Sequence, residues 1–174
     1  MKSKSFIGRQ KELNLLESLY LSKKFEMLIL HGRRRVGKSY LLSHFANLHS
    51  KNVVYFTGDK SSEKNNVKNF CEELNKVLAA GDFIKSFTTW NDVYSFLKNA
   101  EIKERLVLII DEFTYLYNSN PAYDSELQNA IDKILKLKNI FLILCGCEVS
   151  VIEEIIDNCT KPLSGRKTAE LKIF

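Results

Sequence analysis

The chain has 174 residues, of which 45% are hydrophobic and 27% are charged, with 7 Gly and only 2 Pro. This composition is typical of a soluble globular protein with one core, and it excludes disordered and collagen-like chains. Lys and Arg together number 26 and Asp and Glu 21, so the net charge is +5, a balance that suits a polyanionic partner without requiring one.

The first predicted elements are a helix, a strand, a helix and a strand. Leucine residues at helical spacing predict a helix over about residues 9–21, and the apolar run at 27–31 predicts a buried strand. We expect a second helix to begin at Gly37. The segment 52–57, NVVYFT, is rich in the β-branched and aromatic residues that favour a strand.

Two helices are predicted next. Apolar residues recur at steps of three and four over about residues 62–80, which predicts an amphipathic helix that Gly81 ends. A shorter helix is expected around Trp90, and either Thr88 or Thr89 is positioned to cap its amino terminus. The apolar residues of this shorter helix are expected to pack in the core.

The second half of the chain supplies the remaining strands. The aliphatic runs at 106–110 and 140–145 predict central strands buried on both faces, and a last strand is predicted at 169–174. Between the first two, Asn120 and Pro121 open a helix, since proline is tolerated in the first helical turn. The residues of this helix expected to face inward are Leu127, Ile131, Ile134 and Leu135. The alternation predicts a three-layer αβα sandwich around a five-stranded parallel sheet, because parallel neighbours need crossover connections.

A phosphate-binding loop is the strongest motif in the sequence. Residues 32–39 read GRRRVGKS, which fits G-x-x-x-x-G-K-[ST] in full between a predicted strand and a predicted helix. Gly32 and Gly37 allow consecutive backbone N–H groups to converge on phosphate oxygens, Lys38 adds a point charge, and the Ser39 hydroxyl can ligate magnesium. The expected nucleotide-binding residues here are Gly32, Arg33, Arg34, Arg35, Val36, Gly37, Lys38, Ser39 and Tyr40.

The roles of the three loop arginines remain open, because the backbone of such a loop does the binding. Arg33, Arg34 and Arg35 form either a solvated basic rim that attracts a nucleotide or a contact for nucleic acid or a partner subunit. The sequence contains no helix-turn-helix or aromatic stacking motif that would support a nucleic-acid partner. His31, which ends the strand before the loop, is interpreted as a packed or hydrogen-bonded residue and not as a catalyst.

A pair of acids follows the apolar strand at 106–110. Asp111 is expected at the carboxyl edge of the sheet, where ligands bind in open α/β folds and where its carboxylate can hold magnesium together with Ser39. The adjacent Glu112 can orient and polarise a water for attack on a terminal phosphoryl group. Taken alone, an Asp-Glu pair after an apolar run is common and can also cap the next turn. Because it follows a full phosphate loop, with a strand and two helices between, we interpret the pair as functional.

Four further segments accompany the phosphate loop: FIGRQKEL at 6–13, LIIDEFTYL at 108–116, LILCGCEVS at 142–150 and PLSGR at 162–166. Together they resemble the archaeal-type AAA ATPases, which are relatives of the signal-transduction P-loop ATPases. The resemblance implies a sheet order of 5-1-4-3-2 and binding of ATP or ADP with Mg²⁺. It also implies that residues 1–174 are one ATPase core domain, which precedes a helical lid and a winged-helix region.

The resemblance assigns roles to individual residues. It makes Lys38 the phosphate lysine and a catalytic residue, Ser39 and Asp111 the magnesium pair, and Glu112 the water-orienting acid. Arg166 resembles the family arginine that approaches the terminal phosphate, and a surface arginine is the alternative for it. The residues implied to lie beside the adenine base, with a plain helix start as the alternative, are Phe6, Ile7, Gly8 and Arg9.

The sequence departs from the family pattern after the fourth strand. Cys147 stands where the family has a hydroxyl that is expected to sense phosphate, and thiols donate hydrogen bonds weakly. The sequence is therefore consistent with two functions. The first is magnesium-dependent ATP hydrolysis. The second is a nucleotide-binding switch with slow turnover that reports ATP or ADP to partner domains.

The expected partners are a nucleotide, together with self-association or further C-terminal domains. The four cysteines form no CxxC pair and have no histidines at zinc spacing, which argues against a disulfide framework and a metal knuckle. The sequence has no signal-peptide pattern, and its apolar runs are far shorter than the roughly 18 residues that span a bilayer. We therefore expect a reduced, cytoplasmic protein without a membrane anchor.

Overall fold

The computed structural model describes residues 8–174, so the predicted adenine neighbours Phe6 and Ile7 lie outside the described residues. Helices and strands alternate along most of the chain. They are α1 (Gln10–Leu21), β1 (Glu26–Gly32), α2 (Lys38–Leu48), β2 (Val53–Thr57), α3 (Glu63–Leu78), α4 (Trp90–Asn99), β3 (Leu106–Asp111), α5 (Thr114–Ser119), α6 (Tyr123–Lys133), β4 (Ile140–Gly146), α7 (Val149–Asp157) and β5 (Ala169–Ile173). No helix among residues 8–174 has the length and apolar character needed to cross a bilayer.

The five strands form one parallel sheet in the order β2-β3-β4-β1-β5. This arrangement confirms the predicted order 5-1-4-3-2. Strand β4 pairs with β1 on one side and with β3 on the other, with Leu30 beside Cys145 and Ile110 beside Leu144. The strand that carries the phosphate loop and the strand that carries Asp111 are therefore separated by one strand.

Alternate residues of the strands enter two different cores, as the pleat of a strand requires. Side chains such as Val107 and Ile109 pack with the leucines of α1 and α2 on one face of the sheet. Their neighbours, such as Leu108 and Ile110, pack with the longer series of helices from α3 onward on the other face. Both faces are covered, which confirms the predicted three-layer αβα sandwich.

Several helix ends differ from the prediction by one to three residues. Helix α3 ends at Leu78, because Ala79 takes a left-handed conformation with φ 48° before Gly81 is reached. Thr89 is the cap of α4 and forms a capping box with Asp92. Helix α6 begins at Tyr123, two residues after the proline that was expected to open it, and ends at Lys133. The two short helices α5 and α7 were not predicted.

Candidate nucleotide site

The carboxyl ends of the parallel strands bring the predicted phosphate loop and the acidic pair to one edge of the sheet. The loop leaves β1 at Gly32 and enters α2 at Lys38, while β3 ends at Asp111 and β4 at Gly146. Ligands bind at this edge in open α/β folds, because the loops and helix amino termini that follow the strands gather there.

The loop backbone relies on left-handed conformations at two positions. Gly37, the residue before α2, has φ 89°, and Arg35 has φ 65°. Glycine adopts this conformation without a steric penalty, whereas arginine pays one. A strained non-glycine residue that is held in place by its surroundings is typical of ligand sites.

The Lys38 side chain lies inside the loop. Its ammonium Nζ donates to the backbone carbonyls of Gly32 at 2.8 Å and Arg33 at 2.9 Å, and the residue is only 6% exposed. The outer side of the loop is held by Arg9, whose guanidinium donates to the carbonyl of Val36. Arg9, predicted beside the adenine, is thus adjacent to the loop, and Gly8 is exposed with φ 95°.

Gly32 is required by a close approach of two strands. A Cβ at this position would lie 2.1 Å from the carbonyl oxygen of Ile173 in β5. The first glycine of the motif therefore lets the loop start directly beside the edge strand. His31, one residue earlier, is fully buried, and its Nε2 lies 2.7 Å from Glu170 Oε1, in agreement with its structural interpretation.

A cavity of about 310 Å³ opens between the loop and the end of β3. Its size falls within the range of small-molecule sites. The residues that line it are Arg34, Arg35, Gly37, Lys38, Ser39, Tyr40 and Glu112. The cavity therefore brings together the candidate phosphate lysine, a candidate magnesium hydroxyl and the candidate water-orienting acid.

Asp111 is 3% exposed and is held in one orientation by its neighbours. Tyr55 on β2 donates its hydroxyl to Asp111 Oδ2 at 2.8 Å, and the backbone N–H of Glu112 donates to Oδ1 at 2.9 Å. Burial and the nearby carboxylate raise the pKa of Tyr55, so its hydroxyl stays protonated as a donor. Two hydrogen bonds leave further lone pairs on the carboxylate for a cation.

The donor set fits magnesium. Mg²⁺ is bound in proteins by oxygen ligands, through one or two carboxylates together with waters and substrate phosphates. Asp111 offers a carboxylate and Ser39 a hydroxyl, both of which are oxygen donors. Within residues 8–174 there is no group of three or more His, Cys, Asp and Glu side chains that could hold a metal ion.

Glu112 is held in a left-handed conformation with φ 53° and lines the cavity. Cys147 Sγ donates to Glu112 Oε2 at 3.3 Å. The guanidinium of Arg34 reaches across from the loop, with Nε 3.4 Å from Cys147 Sγ and Nη2 donating to the Tyr115 hydroxyl at 2.8 Å. The Cys147 and Tyr115 contacts raise the pKa of Arg34, which stays charged.

Arg166 does not lie near the residues that line the cavity. It lies shortly before β5. Thr168, two residues later, donates its backbone N–H to the carbonyl of Met27 at the start of β1. The guanidinium Nη2 of Arg166 lies 2.6 Å from Asp132 Oδ2, at the amino edge of the sheet. The seven residues of β1 separate the two edges by about 20 Å at 3.3 Å per residue. Arg166 therefore does not reach the phosphate loop of its own chain, where the resemblance implied that it approaches the terminal phosphate.

Two side chains of the site were missed from the sequence. Tyr55 lies on the same face of the sheet as Asp111, a relation that depends on the pairing of Tyr55 with Ile109 and is not visible without the register. Tyr115 belongs to α5, a helix of six residues that is too short for hydrophobic periodicity to reveal. The sequence placed Tyr115 within the motif segment 108–116, whereas Tyr55 lies in a strand without a motif.

The chain is similar to several known proteins. The chain is 32% identical over 168 residues to an uncharacterized protein of Methanocaldococcus jannaschii, covering 97% of this chain and 35% of that protein. The chain thus spans about a third of the length of that relative.

Solved structures with the same fold include a Walker-type ATPase of Pyrococcus abyssi and the ORC2 protein of Aeropyrum pernix in its ADPNP-ADP complexes. The TM-scores are 0.64 and 0.66 at 17% and 14% identity, and 95% of this chain is covered in both cases. The match covers 53% of the first structure's chain and 47% of the second's. A family described as an ATPase domain predominantly from Archaea matches residues 6–174, so the chain belongs to this family of archaeal-type P-loop ATPases.

Proposed function

We propose that this domain binds ATP at the carboxyl edge of the sheet and hydrolyses it in a magnesium-dependent reaction. The observation that carries the proposal is the single cavity that Lys38 and Ser39 line from one side and Glu112 from the other. Membership of an ATPase domain family supports it, as does the relation in fold to a protein solved in ADPNP-ADP complexes.

In this proposal the loop binds the phosphates. The backbone amides between Gly32 and Ser39 and the amino terminus of α2 donate to phosphate oxygens. Lys38 exchanges its two carbonyl acceptors in the loop for phosphate oxygens, which are charged and therefore stronger acceptors. Binding then costs little rearrangement, because the ammonium already lies within the loop.

Ser39 and Asp111 would hold Mg²⁺, with Tyr55 fixing the orientation of the carboxylate. When bound, the ion neutralises charge on the phosphate oxygens. Outer hydrogen bonds of this kind orient metal ligands and tune their affinity. Tyr55 is therefore a positioning residue in the proposed site.

Glu112 accounts for the hydrolytic step. Its carboxylate accepts a hydrogen bond from a water whose oxygen attacks the terminal phosphorus. A new P–O bond forms, the bond to the bridging oxygen breaks, and the electron pair leaves with ADP. The proton of the water passes to Glu112 and then to solvent, so the products are ADP and inorganic phosphate.

A second candidate is a nucleotide-binding switch with negligible turnover. It is favoured by the hydrogen bond from Cys147 to Glu112, which occupies one carboxylate oxygen with a weak donor at the position expected for a phosphate sensor. In this function the nucleotide state itself, and not the hydrolysis, is the output.

The deciding experiment compares magnesium-dependent phosphate release by the parent chain, Glu112→Gln and Lys38→Ala, with nucleotide binding measured by calorimetry. We expect Glu112→Gln to bind ATP as the parent does but to release phosphate at least ~100-fold more slowly. Lys38→Ala should weaken binding itself. If the parent and Glu112→Gln release phosphate at the same rate, the switch replaces the hydrolase. If neither ATP nor ADP binds the folded parent, both functions are wrong.

A further inference from the structure

We propose that Arg34 binds the terminal phosphate of ATP from within the same chain and so distinguishes ATP from ADP. The inference rests on the proposed nucleotide site and assigns a side chain that the phosphate-loop motif leaves variable. It also replaces Arg166, which the fold keeps at the opposite edge of the sheet.

The hydrogen-bond partners of Arg34 in this structure are neutral groups. Its guanidinium donates to a thiol, Cys147 Sγ, at 3.4 Å and to a neutral hydroxyl, Tyr115 Oη, at 2.8 Å. Within residues 8–174 Arg34 forms no ion pair with a carboxylate. A guanidinium that is hydrogen-bonded only to neutral acceptors keeps its full charge available, and a phosphate oxygen is a stronger acceptor than either partner.

The position of Arg34 also suits contact with a bound phosphate. Arg34 lines the cavity of about 310 Å³ together with Lys38, Ser39 and Glu112. Because Cys147 contacts both Arg34 and Glu112, the guanidinium is two hydrogen bonds from the candidate water-orienting carboxylate. The cation therefore lies in the cavity near the residue that would orient the attacking water.

Arg35 also lines this cavity, but within residues 8–174 it lacks the contact that Arg34 makes with Cys147. Arg33 lines a separate cavity of about 880 Å³, between β5 and α7, together with Glu153 and Phe174. Arg33 is exposed like Arg34 and carries the same charge, so it is a matched control for the loss of one cation next to the site.

The planar fork of arginine is suited to this role. A guanidinium can donate two parallel hydrogen bonds to phosphate oxygens, whereas an ammonium acts as a point charge. When Arg34 turns to the phosphate it must leave Cys147 and Tyr115. The contact seen in this structure is therefore the resting position of a side chain that moves when a third phosphate is present.

The test measures binding of a non-hydrolysable ATP analogue and of ADP to the parent chain, Arg34→Ala and Arg33→Ala by calorimetry. We expect Arg34→Ala to weaken binding of the analogue ~10-fold or more, because a charge-assisted hydrogen bond is lost, and to weaken ADP binding less than ~3-fold. Arg33→Ala should weaken both nucleotides by the same small factor. Retained ADP binding also shows that Arg34→Ala is folded.

Equal losses for the analogue and ADP in Arg34→Ala, or the same result for both variants, would overturn the inference. Added guanidinium ion at low millimolar concentration should restore analogue binding to Arg34→Ala and leave Arg33→Ala unchanged. These binding measurements do not depend on ATP hydrolysis. Absence of phosphate release by the parent would therefore remove hydrolysis from the proposed function while leaving this inference to be decided by binding.

Discussion

The arginines at the two edges of the sheet have different kinds of hydrogen-bond partner. At the amino edge, Arg105 is 7% exposed and donates to the carbonyls of Leu19 and Lys24 and to the side chain of Asn139. Arg166, at the same edge, pairs with a carboxylate. At the carboxyl edge, Arg34 is exposed and donates to a thiol and a phenol. The guanidinium groups of Arg105 and Arg166 are therefore bound within the fold, whereas that of Arg34 remains available to an anion.

Backbone strain is concentrated at the carboxyl edge of the sheet. The non-glycine residues with positive φ are Arg9, Arg35, Ala79 and Glu112 within the described chain. Three of them are beside the phosphate loop, and the fourth ends a helix. Because each such residue costs about 1–2 kcal/mol, the carboxyl edge gives up stability to hold a defined shape. Substitutions at the two edges are therefore expected to have different consequences, which can be ranked.

The largest effect is expected for Gly32→Ala. The new Cβ would approach the carbonyl oxygen of Ile173 at 2.1 Å, so the loop or β5 must move. We expect a loss of about 3 kcal/mol in the free energy of unfolding, with loss of nucleotide binding. Gly165→Ala is the control, because it has φ 72° and nothing within 4 Å of its Cβ position. Denaturant unfolding of both variants measures the difference, and equal losses would show that the close approach does not limit the fold.

The second-largest loss of stability is expected for Arg105→Ala at the amino edge of the sheet. Arg105→Ala removes the donors to two backbone carbonyls and one amide oxygen, which should lower the free energy of unfolding by about 2 kcal/mol. Because these contacts lie far from the loop, the affinity for ADP should equal that of the parent. A variant that is stable but binds ADP poorly would contradict the division between the two edges.

The sequence predicted the fold well because its signals are local. Buried strands are continuous apolar runs, and the motif GRRRVGKS joins a strand to a helix. The strand order came from the family resemblance and is confirmed. The ends of α3 and α6 were misjudged because glycine and proline only bias where a helix stops and starts, whereas Ala79 took the left-handed cap instead.

The chemistry of the site was predicted less completely, because side-chain contacts depend on register and on loop paths. The cavity brings Lys38, Ser39 and Glu112 together as their motif spacing suggested. The contact of Tyr55 with Asp111 depends on the pairing of β2 with β3. Arg166 was assigned by resemblance alone, and only the topology reveals which edge of the sheet its segment occupies.

A smaller effect is expected for Tyr55→Phe, which removes only the hydroxyl that donates to Asp111 Oδ2. One hydrogen bond to a carboxylate contributes about 1–2 kcal/mol, and the free energy of unfolding should fall by that amount. If Asp111 holds magnesium, the Mg²⁺ concentration for half-maximal nucleotide hydrolysis should also rise, up to about 10-fold. Arg105→Ala should leave that concentration unchanged. A Tyr55→Phe variant with normal magnesium dependence would show that the tyrosine serves stability alone.

The smallest effect is expected for Asp132→Asn, which breaks the ion pair with Arg166. The hydrogen bond from Arg166, assisted by Lys136, holds the pKa of Asp132 below its ordinary value. A carboxyl group with a lowered pKa in the folded state stabilises the fold above its unfolded pKa of about 4, and this contribution is lost as the pH falls through the lowered value. Because the pair is partly exposed, the variant should lose less than about 1 kcal/mol at pH 7. Unfolding measured from pH 7 to pH 3 should bring the parent and the variant together at the acid end, and a difference that persists there would mean that packing, and not charge, holds Arg166 at the amino edge.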